Sequence, residues 1–430
     1  MRIAPSAAFA ALVALASAEN YLGFNSGSTK TDRSAKFKSD FVAEFTTAQN
    51  LDKAPGKFNA VRLYTNIQAY SQDDPIEAFE AAIDTKTKIL LGVWASGTDN
   101  INKELSALKK AVTKYGSKFT DLVIGISIGS EDLYRNSVTG VTNKAGVGAQ
   151  PDTIVGFIND FKKAFKDSPL GKTPVGHVDT WDVWPNATNK AVLDAIDWVG
   201  VDEYPYYENG KGNNIKNSGQ LFDRAYLATV AAANGKPVWV TETGWPASGP
   251  DWDEAVPSVE NAKYFWDEVG CRQLFGKTPT FWYNLRDSNP DNKQSFAITK
   301  DLSTKPLFDL SCPTTFQTPA QNANNGTAST GGSTNGTATT SGVAKPTGSG
   351  NSGSGSSGGS GSGSGSNPGS GGSGSGSGSN GGSGTNGGSG SAATGTPRPG
   401  SPASGASSVQ GLTVAMYGGL ALVGGVFALL

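Results

Sequence analysis

Two glutamates stand at the ends of apolar, β-branched runs. In Val238-Trp239-Val240-Thr241-Glu242-Thr243-Gly244-Trp245-Pro246 the run delivers Glu242 and then breaks on Gly and Pro. Leu122-Val123-Ile124-Gly125-Ile126-Ser127-Ile128-Gly129-Ser130-Glu131 repeats the arrangement with Glu131. Two carboxylates presented in this way suit acid/base chemistry, in which one group holds a proton while the other is ionised. The plain alternative for either glutamate is a strand-end charge resting in solvent. The pairing, together with the aromatic residues that flank it, weighs against that alternative.

The elements that must position these groups follow a βα rhythm. Short apolar runs at Tyr21 to Asn25, Ala60 to Tyr64, Ile89 to Trp94, Leu122 to Ile128, Val175 to Val178, Trp198 to Val201, Val238 to Val240 and Thr280 to Tyr283 read as strands. Between them lie helical patterns from about Ser34 to Asn50, from Ile101 to Tyr115 with Leu105, Leu108, Ala111 and Val112 on one face, and from Ile154 to Phe165 with Phe157, Ile158, Phe161 and Phe165. Eight such units fit an α/β fold of the (β/α)8 TIM-barrel type. A doubly wound open sheet is the other arrangement of this rhythm. It lacks support here, because no Gly-rich nucleotide loop follows the first strand, and Gly146 and Gly148 lie outside that context.

In a barrel, function sits at the C-terminal ends of the strands. Those ends carry Arg62 and Tyr64, then Trp94, then Glu131 and Asp132, then Asp179, Trp181, Asp182 and Trp184. Asp202, Glu203, Tyr204, Tyr206 and Tyr207 follow the sixth run, Glu242 and Trp245 the seventh, and Trp282, Tyr283, Asn284, Arg286 and Asp287 the eighth. Aromatic faces with interleaved carboxylates suit sugar rings, whose C–H faces stack on aromatics while their hydroxyls bond to polar edges. Some of these rings can equally be core. The sequence holds one histidine, His177, placed within an apolar strand where a satisfied interior residue is the expected role. No His-Glu-x-x-His motif or cysteine cluster offers a metal site, so hydrolysis by carboxylates, with no metal and no cofactor, is the chemistry expected.

Thr241-Glu242-Thr243-Gly244-Trp245-Pro246, the Gly129-Ser130-Glu131 strand end, Val201-Asp202-Glu203-Tyr204-Pro205-Tyr206-Tyr207 and Val61-Arg62-Leu63-Tyr64 together resemble glycoside hydrolase family 17. Within it the chain is most similar to the fungal GPI-anchored glucan endo-1,3-β-glucosidase branch, over roughly Glu19 to Phe316. The resemblance implies a (β/α)8 barrel that hydrolyses β-1,3-glucan with retention, Glu131 being proton donor and later base, and Glu242 the nucleophile. Arg62, Tyr64, Trp94, Ser130, Tyr204, Trp245 and Trp282 are the expected substrate-binding residues. Much of the family carries Asn immediately before the acid, whereas this chain has the shorter Ser130. A β-1,3-glucanosyltransferase uses the same residues with a sugar in place of water, and a glucan-binding wall protein without catalysis is a third reading. The presence of both Glu131 and Glu242 argues against the third.

Residues 1–18 form an export signal, with Arg2, an apolar segment from Ala7 to Ala16 and the small residues Ala16-Ser17-Ala18 at its cleavage site. Residues 19–316 are the catalytic domain, of a size natural for one α/β barrel. Residues 317–404 are a Gly/Ser/Thr-rich linker too polar to fold, with a coil span of roughly 50 Å for about 85 residues. Residues 405–430 end in the apolar stretch Leu412 to Leu430 with no Lys or Arg behind it, which reads as a GPI signal with lipid attachment at Gly405, or at neighbouring Ser404.

After export, a disulfide between Cys271 and Cys312 is the economical reading, and two buried free thiols are the other. Asn186, Asn325 and Asn335 open glycosylation sequons. The formal net charge of −2, with no basic stripe, excludes nucleic acid as a partner. The expected partners are therefore β-1,3-glucan and, through a GPI lipid, the outer face of the plasma membrane or the cell wall. A monomer is expected.

Overall fold

The apolar runs become eight strands: β1 (Leu22–Ser26), β2 (Ala60–Leu63), β3 (Lys88–Val93), β4 (Val123–Ser130), β5 (Val175–Thr180), β6 (Trp198–Asp202), β7 (Val238–Glu242) and β8 (Thr280–Trp282). The computed structural model describes residues 20–318. The export signal, most of the linker, Asn325, Asn335 and the region of Gly405 lie outside the described residues.

The strands pair in chain order and all in parallel, and β1 closes on β8 through Leu22 against Thr280 and Phe24 against Trp282. Helices wrap this closed barrel, which is the (β/α)8 arrangement rather than an open sheet.

Alternation along each strand divides the side chains between two apolar environments. Ala60, Leu90, Val178, Trp198, Trp239 and Phe281, one from each of six strands, fill the barrel interior. Val199 and Val201 on β6, and Val238 and Val240 on β7, pack instead in the layer beneath the helices. Trp198 and Trp239 stack with ring centroids 4.4 Å apart and form the floor on which the polar mouth rests. Gly176 makes this possible, because a Cβ there would lie 2.3 Å from the Trp198 ring.

Outside, the helix Pro151–Phe165 buries Ile154, Phe157, Ile158, Phe161 and Phe165 at helical spacing. It starts earlier than its apolar pattern because Pro151 occupies the first turn, where no backbone donor is required. The first helix runs from Lys38 to Gln49, starting later than the expected Ser34. Residues 28–37 fold back on themselves instead, with Lys36 N–H donating to the Ser28 carbonyl at 2.9 Å.

Cys271 and Cys312 are joined in a disulfide. It ties the chain after β8 to the helical stretch Trp266–Leu274, and beside it the Glu268 carboxylate accepts the Gln317 and Thr318 N–H groups at 2.5 and 2.8 Å.

Candidate active site

Glu242 reaches the barrel mouth through an irregularity in β7. Strict alternation would place it with Val238 and Val240, facing the helices. The β6–β7 register slips, so that Val201 faces Val240 but Asp202 faces Glu242, and one extra residue is accommodated in β7. Thr241 and Glu242 therefore both serve the mouth. The Thr241 hydroxyl donates to Asp202 Oδ1 at 2.7 Å.

The Glu242 carboxylate is 2 % exposed and surrounded by donors. Its Oε1 accepts Arg62 Nη1 at 2.6 Å and the Tyr64 hydroxyl at 2.8 Å, and its Oε2 accepts the Tyr204 hydroxyl at 2.7 Å. Burial, and then the neighbouring Glu242 charge, pushes both tyrosines well above their ordinary range, so they stay protonated and donate.

Arg62 joins the two halves of the site. Its Nη1 bonds to Glu242 and to Asn25 Oδ1 at 3.0 Å, while its Nη2 donates to Ser130 Oγ at 2.9 Å. One planar guanidinium thus spans from Glu242 to the residue preceding Glu131, a geometry that a lysine could not reproduce. Asn25 is itself fixed at the end of β1, its amide donating to the Thr241 and Phe281 carbonyls at 3.0 Å each.

Glu131 follows β4 in a left-handed conformation, φ 55° and ψ 26°. Such a conformation is uncommon for a non-glycine residue and persists only where the surroundings hold it. Here Glu131 N–H donates to the Val178 carbonyl at 2.9 Å, and the Asp179 carboxylate accepts the following Leu133 and Tyr134 N–H groups at 2.8 and 3.2 Å. His177 lies beneath this turn, Nδ1 at 2.6 Å from the Ile128 carbonyl and Nε2 at 3.0 Å from Asp179. Both ring nitrogens face acceptors, and although burial opposes it, the Asp179 carboxylate raises the His177 pKa and so favours the protonated ring that can donate to both, in an interior position that supports the turn.

Glu131 is 2 % exposed. Its Oε2 accepts Arg135 Nη2 at 2.9 Å, and its Oε1 has no hydrogen-bond partner. Burial raises its pKa to about 8; Arg135 opposes the shift, and Glu242 and Asp179 add to it. The site therefore combines a carboxylate among three donors with a carboxyl group that keeps its proton near neutrality, which is the electrostatic division needed for acid catalysis beside a nucleophile.

Of the residues expected to bind substrate, Arg62, Tyr64, Ser130 and Tyr204 converge on the pair. Trp94 stands beside it, half-buried, with its ring 5.5 Å from the Arg135 guanidinium carbon and its indole N–H on the Ser96 carbonyl. Trp245 and Trp282 do not join this group. Each is only 2 % exposed. Trp245 packs against Tyr206 and Phe265 and donates to the Val256 carbonyl, and Trp282 packs among Phe265, Trp266 and Phe275. Both belong to the aromatic layer behind the strand ends. Arg135 and Asn25 are the site residues that motif reading passed over. Arg135 carried a signal, since a residue four places after Glu131 on a helical turn lies beside it.

Residues 26–300 match the family model described as the BtgE/BtgC glycoside hydrolase domain. The protein named probable glucan endo-1,3-beta-glucosidase eglC of Aspergillus fumigatus is 52 % identical over 303 residues, 70 % of this chain and 67 % of that one. Its namesake in Aspergillus terreus is 51 % identical over 295 residues, covering 68 % of this chain and 60 % of the relative. Among solved structures, a glycoside hydrolase family 17 beta-1,3-glucanosyltransferase from Rhizomucor miehei superposes with a TM-score of 0.56 at 24 % identity, over 68 % of this chain and 98 % of that one. That likeness concerns the fold alone.

Proposed function

We propose, from the premise that this chain belongs to the BtgE/BtgC glycoside hydrolase family, that it cleaves internal 1,3-β-D-glucosidic linkages of β-glucan with retention of configuration. The observation that carries the mechanism is the Arg62 bridge, which holds Glu242 among donors on one side and the Glu131 strand end on the other. Glu242 attacks the anomeric carbon as Glu131 gives its proton to the departing glycosidic oxygen, and a covalent glycosyl-enzyme results. Glu131, now ionised, takes a proton from water, and the hydroxide oxygen displaces Glu242 with a second inversion.

Glu242→Gln tests this assignment, because an amide cannot attack: kcat for a defined β-1,3-glucan oligomer should fall by several orders of magnitude with an unchanged circular dichroism spectrum. Near-normal turnover in that variant removes Glu242 from the role. NMR of the first products from the unmodified enzyme should give the β-anomer, and an initial α-product would refute retention. The same experiment reads products longer than the substrate, the mark of glucanosyl transfer.

We further propose that the protein is secreted and held at the outer face of the plasma membrane or in the cell wall by a GPI lipid near Gly405, supported by the apolar segments and small residues of the sequence. Release from membranes by phosphatidylinositol-specific phospholipase C is the expected result; a mature chain that retains Leu412 to Leu430 by mass spectrometry refutes it. Asn186 is exposed and suited to carry a glycan. Asn325 and Asn335 are proposed on their sequons alone.

A further inference from the structure

Beside the catalytic pair, at the ends of β5 and β6, lies a cavity of about 30 Å³. Three of the residues that line it keep a buried polar atom without a hydrogen-bond partner: Asp202 Oδ2, Glu203 Oε1 and the Tyr207 hydroxyl. Buried polar atoms without partners are uncommon in folded proteins, and each costs stability. Three at one cavity mark a place that receives hydrogen-bonding groups.

Glu203 is the most telling of the three, because it is 2 % exposed and its Oε1 is buried without a hydrogen-bond partner. The nearby Arg224 and Lys211 are both engaged with Glu208, at 2.5 and 3.4 Å. Burial, and then the Glu208 charge, pushes the Glu203 carboxyl well above its ordinary range, so that it can both donate and accept. The remaining walls are aromatic. Trp181 is held by its indole N–H on Glu208 at 2.7 Å, and Tyr204, which also lines the cavity, donates to Glu242. Glu203 N–H donates to the Glu242 carbonyl at 3.0 Å, so cavity and nucleophile share one stretch of backbone.

We propose that this cavity is a saccharide subsite that receives the hydroxymethyl arm of a glucosyl unit bound at the catalytic pair, with Glu203 as the specificity-determining residue. The cavity is too small for a sugar ring. The hydroxymethyl arm is the one part of glucose that projects beyond the ring and brings both a methylene for aromatic walls and a hydroxyl for a polar end. Glu203 bonds that hydroxyl, and Trp181 and Tyr207 flank the methylene. A unit substituted on its 6-oxygen does not fit, which makes the subsite selective for unbranched chain at this position. The inference rests on the β-glucan reading above and deepens it.

The test uses the Glu242→Gln protein as parent, with calorimetric titration of linear β-1,3-linked glucose oligomers and of β-1,3-linked xylose oligomers, which lack the hydroxymethyl arm. The parent should bind the glucose series about ten-fold more tightly. Adding Glu203→Leu should abolish most of that preference, whereas Glu203→Gln, which still donates and accepts, should keep it within about two-fold. Because Leu replaces a buried acid with an unpartnered oxygen, the Leu variant should melt at the same temperature as the parent or higher, which a merely structural role for Glu203 does not predict.

Unchanged glucose affinity in the Leu variant overturns the proposal, and is the result expected if the cavity houses only water. Equal weakening toward both series, or a parent without preference between them, overturns it too. Incubation of unmodified protein with β-1,3-glucan separates the two levels. No cleavage sinks the functional reading, while cleavage accompanied by an indifferent Glu203 sinks only the subsite.

Discussion

Replacing Glu131 by Gln should change how stability depends on pH. Glu131 is 2 % exposed, one carboxyl oxygen lacks any partner, and burial lifts its pKa from 4.5 to about 8 against the pull of Arg135. For an acid whose pKa is higher in the folded state, the folded protein keeps a proton that the unfolded chain releases. Stability is therefore greatest below pH 4.5 and is lost as the pH rises toward 8. The whole difference corresponds to about 5 kcal/mol, which compares with the total stability of many domains.

Glutamine has nearly the same shape, can accept the Arg135 bond through its amide oxygen, and does not ionise. Denaturant unfolding of both proteins at pH 4.5, 6 and 8 should show the variant gaining on the parent by up to about 5 kcal/mol across that range. In the unmodified enzyme, kcat/KM should decline above about pH 8, where the acid form is depleted. Two stability curves that stay parallel within about 1 kcal/mol would refute the idea that this carboxyl is held protonated by burial.

Two further substitutions probe the parts that hold the pair in place. Ser130→Ala removes the acceptor of Arg62 Nη2 at 2.9 Å and leaves a buried donor unsatisfied, an effect of about 1–3 kcal/mol, so kcat/KM should fall roughly ten- to hundred-fold; unchanged kinetics would mean that the hydroxyl does not steady the guanidinium. Gly129→Ala places a Cβ 2.2 Å from Asp132 Oδ2 at a φ of 87°, so the turn carrying Glu131 must shift: we expect a loss of roughly 1–3 kcal/mol in thermal or denaturant unfolding and a marked drop in kcat, and a variant with normal kcat would show that the turn tolerates displacement.

What the chain reveals locally is considerable. The apolar runs, their flanking Gly and Pro residues and the helical spacing between them locate all eight strands within a few residues, because alternation and burial depend on near neighbours in sequence. The same runs end on Glu131 and Glu242, and the rule that barrel strands deliver function at their C-terminal ends places both among the candidate acids and aromatics before any coordinate is known.

Other properties belong to the tertiary structure alone. Alternation would turn Glu242 toward the helices, and only a register slip against β6 brings it to the mouth. Arg62 meets a carboxylate 180 residues away, a contact that no local pattern encodes. Trp245 and Trp282 look like sugar platforms when counted along the chain, but the helices that pack outside the barrel cover their faces. The proton affinity of Glu131 is likewise set by the water that packing excludes and by the charges that closure of the barrel gathers around it, so the glutamate is visible in the sequence while its readiness to act as an acid is a property of the fold.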